Sequence, residues 1–306
     1  MKILIFGAGV YGKICLKYFE QIGQNELIGF LDNAPKAPVR TSSGEELPVY
    51  RPEEAVNLSH DLIWISNGQS VQVAEIKEQL SGLGFSPEKV KAMLEEPETM
   101  VKILTSFNQY DEETDHRVLW LRDYAAYTAS ENFPGDVAEC GVCMGDFSYY
   151  INKYFPDKTL YLFDTFEGFT LQDLDVERAF NNGAFMNSMF NDPSFFSSAN
   201  EQVVITRMLH PENCVLKKGY FPDTAEGIEG PFCFVNLDMD LYQPMLAGLR
   251  FFYERMCPGG VLLLHDYFHP ELPGVRQAVE NFERERRLKI HKVPVGDSCS
   301  IAIVVP

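Results

Sequence analysis

Apolar positions along the chain come in short unbroken runs. Each run is followed by a stretch whose apolar residues recur at three- and four-residue steps. Buried strands alternating with amphipathic helices produce that pattern, and it predicts an α/β fold. In the first part, Lys2 to Phe6, Leu27 to Leu31, Asp61 to Ser66 and Lys89 to Met93 read as strands. Helices are expected up to about Ile22 and over Val71 to Leu80. Glu95-Glu96-Pro97-Glu98 is charged and reads as a linker. Beyond it, Val118 to Asn132 predicts a helix, Asp136 to Cys140 a strand and Phe147 to Tyr154 a helix. Leu160 to Phe163 and Cys214 to Lys217 follow as strands. The series ends with an apolar strand from Phe232 to Leu237, a helix carrying Leu246, Leu249, Phe252, Tyr253 and Met256, a break at Pro258-Gly259-Gly260, and a buried strand from Val261 to Leu264. A chain of 306 residues suits two domains. The pattern divides it into a smaller Rossmann-like unit, residues 1–95, and a larger one, residues 96–306.

Within the larger unit, residues 170–210 read as irregular, polar and aromatic, too long for a plain connector. They are expected to form a lid or a substrate-binding element. Phe180, Phe185, Met186, Phe190, Phe195 and Phe196 would stack on an acceptor there or hold the lid down.

Composition adds exclusions. A net charge of −18 disfavours a nucleic-acid partner, because phosphate binding needs basic surface. The acidity is uneven: residues 1–96 carry 9 basic and 13 acidic side chains, the remainder 17 and 31, which fits a solubilising surface or a cation site in the second part. No apolar run is long enough to cross a bilayer, and the N-terminus lacks the layout of a cleavable signal. The seven cysteines are odd in number and sit mostly in apolar runs. They read as core residues in a reducing compartment, so the expected location is cytoplasmic. Cys140 and Cys143 have CxxC spacing; with no second pair, a structural role is favoured over redox or zinc chemistry.

Gly7, Gly9 and Gly12 follow the first strand and open the first helix, and Asp32 closes the second strand. In that context the glycines admit a pyrophosphate at the helix N-terminus and the acid binds a ribose. The pattern GAG..G…GFLDN…G..LPVY.PEE…D.IWIS resembles the N-terminal nucleotide-sugar-binding domain of bacterial sugar acyltransferases over residues 1–93. The resemblance implies a nucleotide or nucleotide-sugar ligand; a docking domain whose glycines serve packing alone is the alternative. So few residues cannot complete both halves of a dinucleotide-binding fold, which counts against an NAD-linked oxidoreductase.

The larger unit has a different signature. Glu139 near a strand end, Gly141 and Gly145 in the following turn, and Asp164 ending the next strand form a cradle for S-adenosylmethionine. The glycines would admit the amino-acid part of the cofactor and Asp164 the ribose hydroxyls. Gly219, after the third strand, would line the adenine side. Asp238, Asp240, His265 and Asp266 follow two apolar strands joined by a helix, so they should converge at the carboxyl edge of the sheet, where open α/β folds bind ligands. An Asp at a strand end also commonly caps the next helix, and Asp240 could do only that.

Six ordered motifs now accumulate over residues 115–285: PGDVAECGV..G, LYLFDTFEGF, KKGYFPDTAEGI, FVNLDMDLY, CPGGVLLLHDY and PGVRQAVENF. Together they resemble the macrocin and mycinamicin O-methyltransferase family of sugar hydroxyl methylases. The resemblance implies a class I methyltransferase fold, S-adenosylmethionine, a sugar or glycosylated small-molecule acceptor, and a divalent metal, usually Mg²⁺. It places metal ligands at Asp238 and Asp266, with Asp240 completing a DxD pair, and it also implies oligomers. Where the family pattern has two acids before the tyrosine, this chain has His265-Asp266. Asp238, Asp240 and His265 all stand as candidates for the base that removes the hydroxyl proton. A non-catalytic sugar- or nucleotide-binding protein retaining the fold is the alternative of a different class.

Overall fold

The structure, a computed structural model, describes residues 1–35, 37–67, 70–180 and 201–306. Two compact units divide between Asn108 and Gln109, further along than the division at 95/96 read from sequence. The cause is local. The charged segment at residues 95–98 is not a linker: a tight turn covers Met93–Glu95, and Pro97 then opens a helix, Pro97–Thr105, that buries Ile103 and Leu104. Proline is well suited to a first helical position because its fixed φ matches and its missing N–H is not needed there.

The first unit contains β1 (Lys2–Phe6), α1 (Val10–Ile22), β2 (Glu26–Leu31), β3 (Val39–Arg40), β4 (Glu46–Leu47), β5 (Val49–Tyr50), β6 (Leu62–Ile65), α2 (Ser70–Gly82), β7 (Val90–Ala92) and α3 (Pro97–Thr105). Its main sheet has the order β5-β2-β1-β6-β7 and is parallel throughout, while β3 and β4 form a separate antiparallel pair.

The second unit contains α4 (His116–Ser130), β8 (Asp136–Cys140), α5 (Asp146–Tyr154), β9 (Leu160–Asp164), α6 (Leu171–Glu177), α7 (Glu201–Arg207), β10 (Cys214–Lys218), β11 (Phe232–Leu237), α8 (Tyr242–Phe252), β12 (Met256–Leu264), α9 (Pro273–Arg286), β13 (Lys292–Pro294) and β14 (Ile301–Val304). The sheet order is β10-β9-β8-β11-β12-β14-β13. The first five strands in that order run parallel, and β14 and β13 are each antiparallel to their neighbour. Every residue of β11 is buried, as expected for a central parallel strand covered on both faces. Each apolar side chain so enclosed contributes about 1.5–3 kcal/mol relative to exposure.

Two readings of this unit change. Pro258-Gly259-Gly260 does not separate helix from strand. Here α8 already ends at Phe252, and β12 runs from Met256 through the Pro-Gly-Gly. The register accommodates it as a bulge: Phe232 faces Met256 but Phe234 faces Val261. The stretch 170–210 is not irregular throughout, since α6 and α7 occupy parts of it. Phe185, Met186, Phe190, Phe195 and Phe196 lie outside the described residues. Phe180 packs against Tyr242 in a tilted ring pair with centroids 4.9 Å apart.

What positions the site is the register. Leu237 of β11 pairs with Cys140 of β8 on one side and Leu264 of β12 on the other. Three neighbouring strands therefore end level, and the residues that follow them share one edge. That edge includes the switch point, because β8 continues through β9 on one side while β11 flanks it on the other.

Candidate active site

A cavity of about 270 Å³ opens at this edge. Its walls include Glu139, Gly141, Asp164, Gly219, Asp238, Asp240, His265 and Asp266, so every residue expected at the cofactor, metal or base position in the larger unit except Gly145 lines one space. Gly145 is the residue before α5.

Asp164 closes β9. Its two oxygens accept backbone N–H groups of Cys143 and Phe166, each at 2.8 Å, so the carboxylate fixes the loops on both sides of the cavity. Burial raises its pKa, and these N–H donors work against that rise. Gly219 donates its N–H to the Asp164 carbonyl at 2.9 Å, bringing the loop after β10 to the same place. Glu139 lies deeper. It accepts from Ser148 and, at 2.8 Å, from Asn236, and burial pushes its carboxyl up to about 8. Cys140 is buried and Cys143 partly so; both are free, and burial pushes the Cys143 thiol up to about 12. A reactive CxxC needs depressed thiol pKa values, so the pair has the character of packing residues.

The acid cluster forms as the topology requires. His265 Nδ1 lies 3.0 Å from Asp238 Oδ1 and 2.9 Å from Asp266 Oδ2. The second oxygen of Asp238 accepts from Arg117 Nη1 at 2.9 Å. Burial alone would raise the Asp238 carboxyl, but the His265 and Arg117 cations outweigh it and hold Asp238 well below the usual carboxylate range. For His265, burial favours the neutral ring, and Asp238 overrides it strongly, so the imidazole is held as a cation. Burial, Asp266 and Asp238 together drive the Asp240 carboxyl up. Asp266 is held low: burial opposes its charge and the His265 contact prevails. Asp240 and Asp266 both have φ of 58°, a left-handed backbone uncommon outside glycine and concentrated at functional sites.

Asp240 does not cap α8. The residue before that helix is Leu241, whose side chain makes no cap, and the first helical N–H, of Tyr242, goes instead to Glu177 at 2.8 Å.

Arg117 was missed by sequence reasoning. It sits early in α4, a helix capped by Asp115, which accepts from Val118 N, and its guanidinium lies over the rings of Phe147 at 3.9 Å and Tyr110 at 4.8 Å. It is 1% exposed, and among the described residues its Nε and Nη2 have no hydrogen-bond partner. A buried arginine between aromatic rings and an acid 121 positions away leaves no local signature in sequence. The only hint was an arginine on the face of α4 that also carries Val118 and Leu121.

Asp238, Asp240 and Asp266 each offer a carboxylate oxygen, and these atoms lie within 4.8 Å of one another. Hard oxygen donors in that number suit Mg²⁺.

In the first unit a second cavity, of about 470 Å³, is lined by Gly7, Gly9, Gly12, Asp32, Ser66 and Asn67 among others. Asp32 accepts the N–H groups of Ala8 and Ala34, each at 2.9 Å, and so staples the glycine turn. Gly12 is fixed by packing: a Cβ there would lie 1.8 Å from the Gly7 carbonyl oxygen. A Cβ on Gly9 would meet nothing within 4 Å.

Comparison with known proteins separates the two units. Residues 112–299, more than half of the chain, match the model of the macrocin-O-methyltransferase (TylF) family. The chain belongs to that family. Residues 2–64 match the PglD N-terminal domain. Among solved structures, the O-methyltransferase NovP is similar at 19% identity and a TM-score of 0.52, covering 69% of this chain and 98% of NovP. The calicheamicin methyltransferase CalS11 is similar at 20% identity and a TM-score of 0.47, covering 72% of this chain and 93% of CalS11. No curated protein matches the chain. The larger unit thus has the class I methyltransferase fold, and the protein is an S-adenosylmethionine-dependent O-methyltransferase. Among the described residues, no helix is long and apolar enough to cross a membrane.

Proposed function

We propose that this O-methyltransferase acts on a hydroxyl of a sugar or glycosylated small molecule, with chemistry centred on Asp238, Asp240, His265 and Asp266. The observation that carries the reading is the meeting of His265 with two carboxylates at the rim of the cavity that Asp164 also lines. Bound S-adenosylmethionine would supply a methyl group on a sulfonium, open to in-line attack. Asp164 would take the ribose hydroxyls, Gly141 and Gly145 the amino-acid part, Gly219 the adenine side, and Glu139 would support the turn from below.

The acceptor hydroxyl has to lose its proton as its oxygen attacks. His265 would do that once a cation bound at the carboxylates has relieved the ring of its own charge. Its Nδ1 is held by Asp238 and Asp266, which fixes the ring and leaves Nε2 as the nitrogen that takes the proton; the two carboxylates then stabilise the imidazolium. Asp238, Asp240 and Asp266 would hold a Mg²⁺ ion, which would stabilise a developing alkoxide and balance the carboxylates in place of the proton on Asp240 and the charge on His265. Asp238 and Asp240 act here as ligands and orienting groups rather than as bases.

We further propose that the first unit binds a nucleotide or nucleotide-sugar through Gly7, Gly9, Gly12 and Asp32, and that the protein works in the cytoplasm, where its seven free thiols stay reduced. The test is methyl transfer to a panel of nucleotide-linked and free sugars, with Mg²⁺ present or chelated, by wild type and His265→Gln. A sugar acceptor should be found, and His265→Gln should lower kcat about 10²–10⁴-fold with little change in cofactor affinity. A His265→Gln enzyme with full kcat would remove His265 as the base.

A further inference from the structure

Asp266 belongs to two clusters at once. One is the all-oxygen set already described. The other joins Asp266 to His265 and Cys299, whose ligand atoms also lie within 4.8 Å of one another. We propose that His265, Asp266 and Cys299 form a second, softer cation position that takes a borderline transition-metal dication such as Zn²⁺.

Topology brings the three together. His265 and Asp266 follow the end of β12, and Cys299 precedes the start of β14, its antiparallel neighbour. Leu264 pairs with Ile301, so the chain leaving one strand passes the chain entering the other. The backbone then fixes the approach. Phe268 donates its N–H to the Cys299 carbonyl at 2.9 Å, and Asp297 accepts the N–H groups of Cys299 at 3.0 Å and Ser300 at 2.7 Å. Within that frame Cys299 Sγ lies 3.2 Å from Asp266 Oδ1, while His265 Nδ1 lies 2.9 Å from Asp266 Oδ2. Ligand atoms held by short backbone-anchored loops are a preorganised site.

The donor types decide the ion. Magnesium takes oxygen ligands, and thiolate and imidazole rank poorly for it. Zinc and cobalt accept sulfur, nitrogen and carboxylate oxygen together. Three protein ligands with a fourth position left to water is the arrangement of open, catalytic-type zinc sites. The Asp238, Asp240 and Asp266 set and this set cannot both be filled at full strength, because Asp266 is common to them. An ion on the softer set also draws His265 away from Asp238. On the methyl-transfer reading above, zinc would therefore inhibit; the binding itself does not depend on that reading.

The experiment is a Co²⁺ titration of the purified full chain, following the near-ultraviolet thiolate-to-cobalt charge-transfer band, with Zn²⁺ affinity measured by competition. Wild type and Asp240→Asn should both give the band, since Asp240 belongs only to the hard set. Cys143→Ser should also give it. Cys299→Ser, checked for native thermal unfolding, should lose it, with Zn²⁺ affinity falling by more than about 100-fold, beyond the cost of losing an outer-shell partner alone. Saturating Mg²⁺ should produce no band. Absence of Co²⁺ binding, binding without the band, or a band that survives Cys299→Ser would overturn the proposal. S-adenosylhomocysteine binding, measured on the same samples, reports separately on the methyltransferase site.

Discussion

Gly141 and Asp238 meet backbone to backbone: a Cβ on Gly141 would lie 1.8 Å from the Asp238 carbonyl oxygen. Asp238 in turn donates its N–H to the Cys140 carbonyl at 2.8 Å, so the ends of β8 and β11 are locked together where cofactor turn and acid cluster adjoin. Gly141 also has φ of 85°. Adding one methyl group must part the two strand ends, since backbone cannot yield as a side-chain tip can. Gly141→Ala should abolish S-adenosylhomocysteine binding and lower the melting temperature markedly, both read in one calorimetric series. Native stability with intact binding would show that the two ends are not locked.

Arg117 makes a second test. Its guanidinium pairs with Asp238, and its side chain is 2% exposed. Removing one partner of a buried pair strands the other charge, at a cost of about 3–5 kcal/mol. Arg117→Met should reach that range in denaturant unfolding. Arg117→Lys should recover only part of it, because an ammonium supplies neither the planar fork nor the stacking that Tyr110 and Phe147 receive. A loss below about 1 kcal/mol for Arg117→Met would mean that His265 alone satisfies Asp238.

Glu139 predicts a pH dependence of stability. Burial holds its folded pKa at about 8, against 4.5 ordinarily. Between those values the folded state keeps a proton that the unfolded chain has released, so folding stability falls as pH rises through that window. Each tenfold change in an acid dissociation constant corresponds to about 1.4 kcal/mol, which makes the full effect a few kcal/mol. Glu139→Gln keeps a neutral group of the same shape. Melting temperatures from pH 5 to pH 8 should decline in wild type and decline visibly less in Glu139→Gln. Parallel curves for the two proteins would assign the slope to other groups.

The glycines of the first unit divide by cause. Gly12→Ala should destabilise, because of the Gly7 carbonyl. Gly9→Ala should leave the melting temperature within a degree or so, since open space surrounds that position, and should weaken binding of a UDP-sugar. No UDP-sugar binding by the wild-type protein would favour a docking role for this unit, and unchanged affinity in Gly9→Ala would remove Gly9 from the ligand contact.

The fold was legible because its signals are local. Unbroken apolar strands such as Phe232–Leu237 and glycine turns such as Gly141 to Gly145 report their own structure, while the order of the strands within each sheet was not read from sequence. The convergence of Asp238 and Asp266 was legible for the same reason: both follow parallel strands that neighbour each other. Three further things were not. The helix at Pro97–Thr105 was hidden by a charged start that reads as linker. The Pro-Gly-Gly of β12 carries the composition of a turn, and only pairing with β11 makes it a bulge. Arg117 and Cys299 reach the cluster from elements remote in sequence, and nothing in their neighbours announces a partner.

The most direct test of the whole account is calorimetric titration with S-adenosylhomocysteine of wild type and Asp164→Asn. The substitution removes the charge and one of the two acceptor oxygens, so only one of the Cys143 and Phe166 N–H groups keeps its partner. A hydrogen bond to a charged group contributes about 1.5–3 kcal/mol, so affinity should fall about 10- to 100-fold, alongside a loss of about 1–3 kcal/mol in unfolding from the N–H left without an acceptor. No binding by the wild-type protein, or equal binding by both, would contradict the placement of the cofactor at the β8–β9 edge.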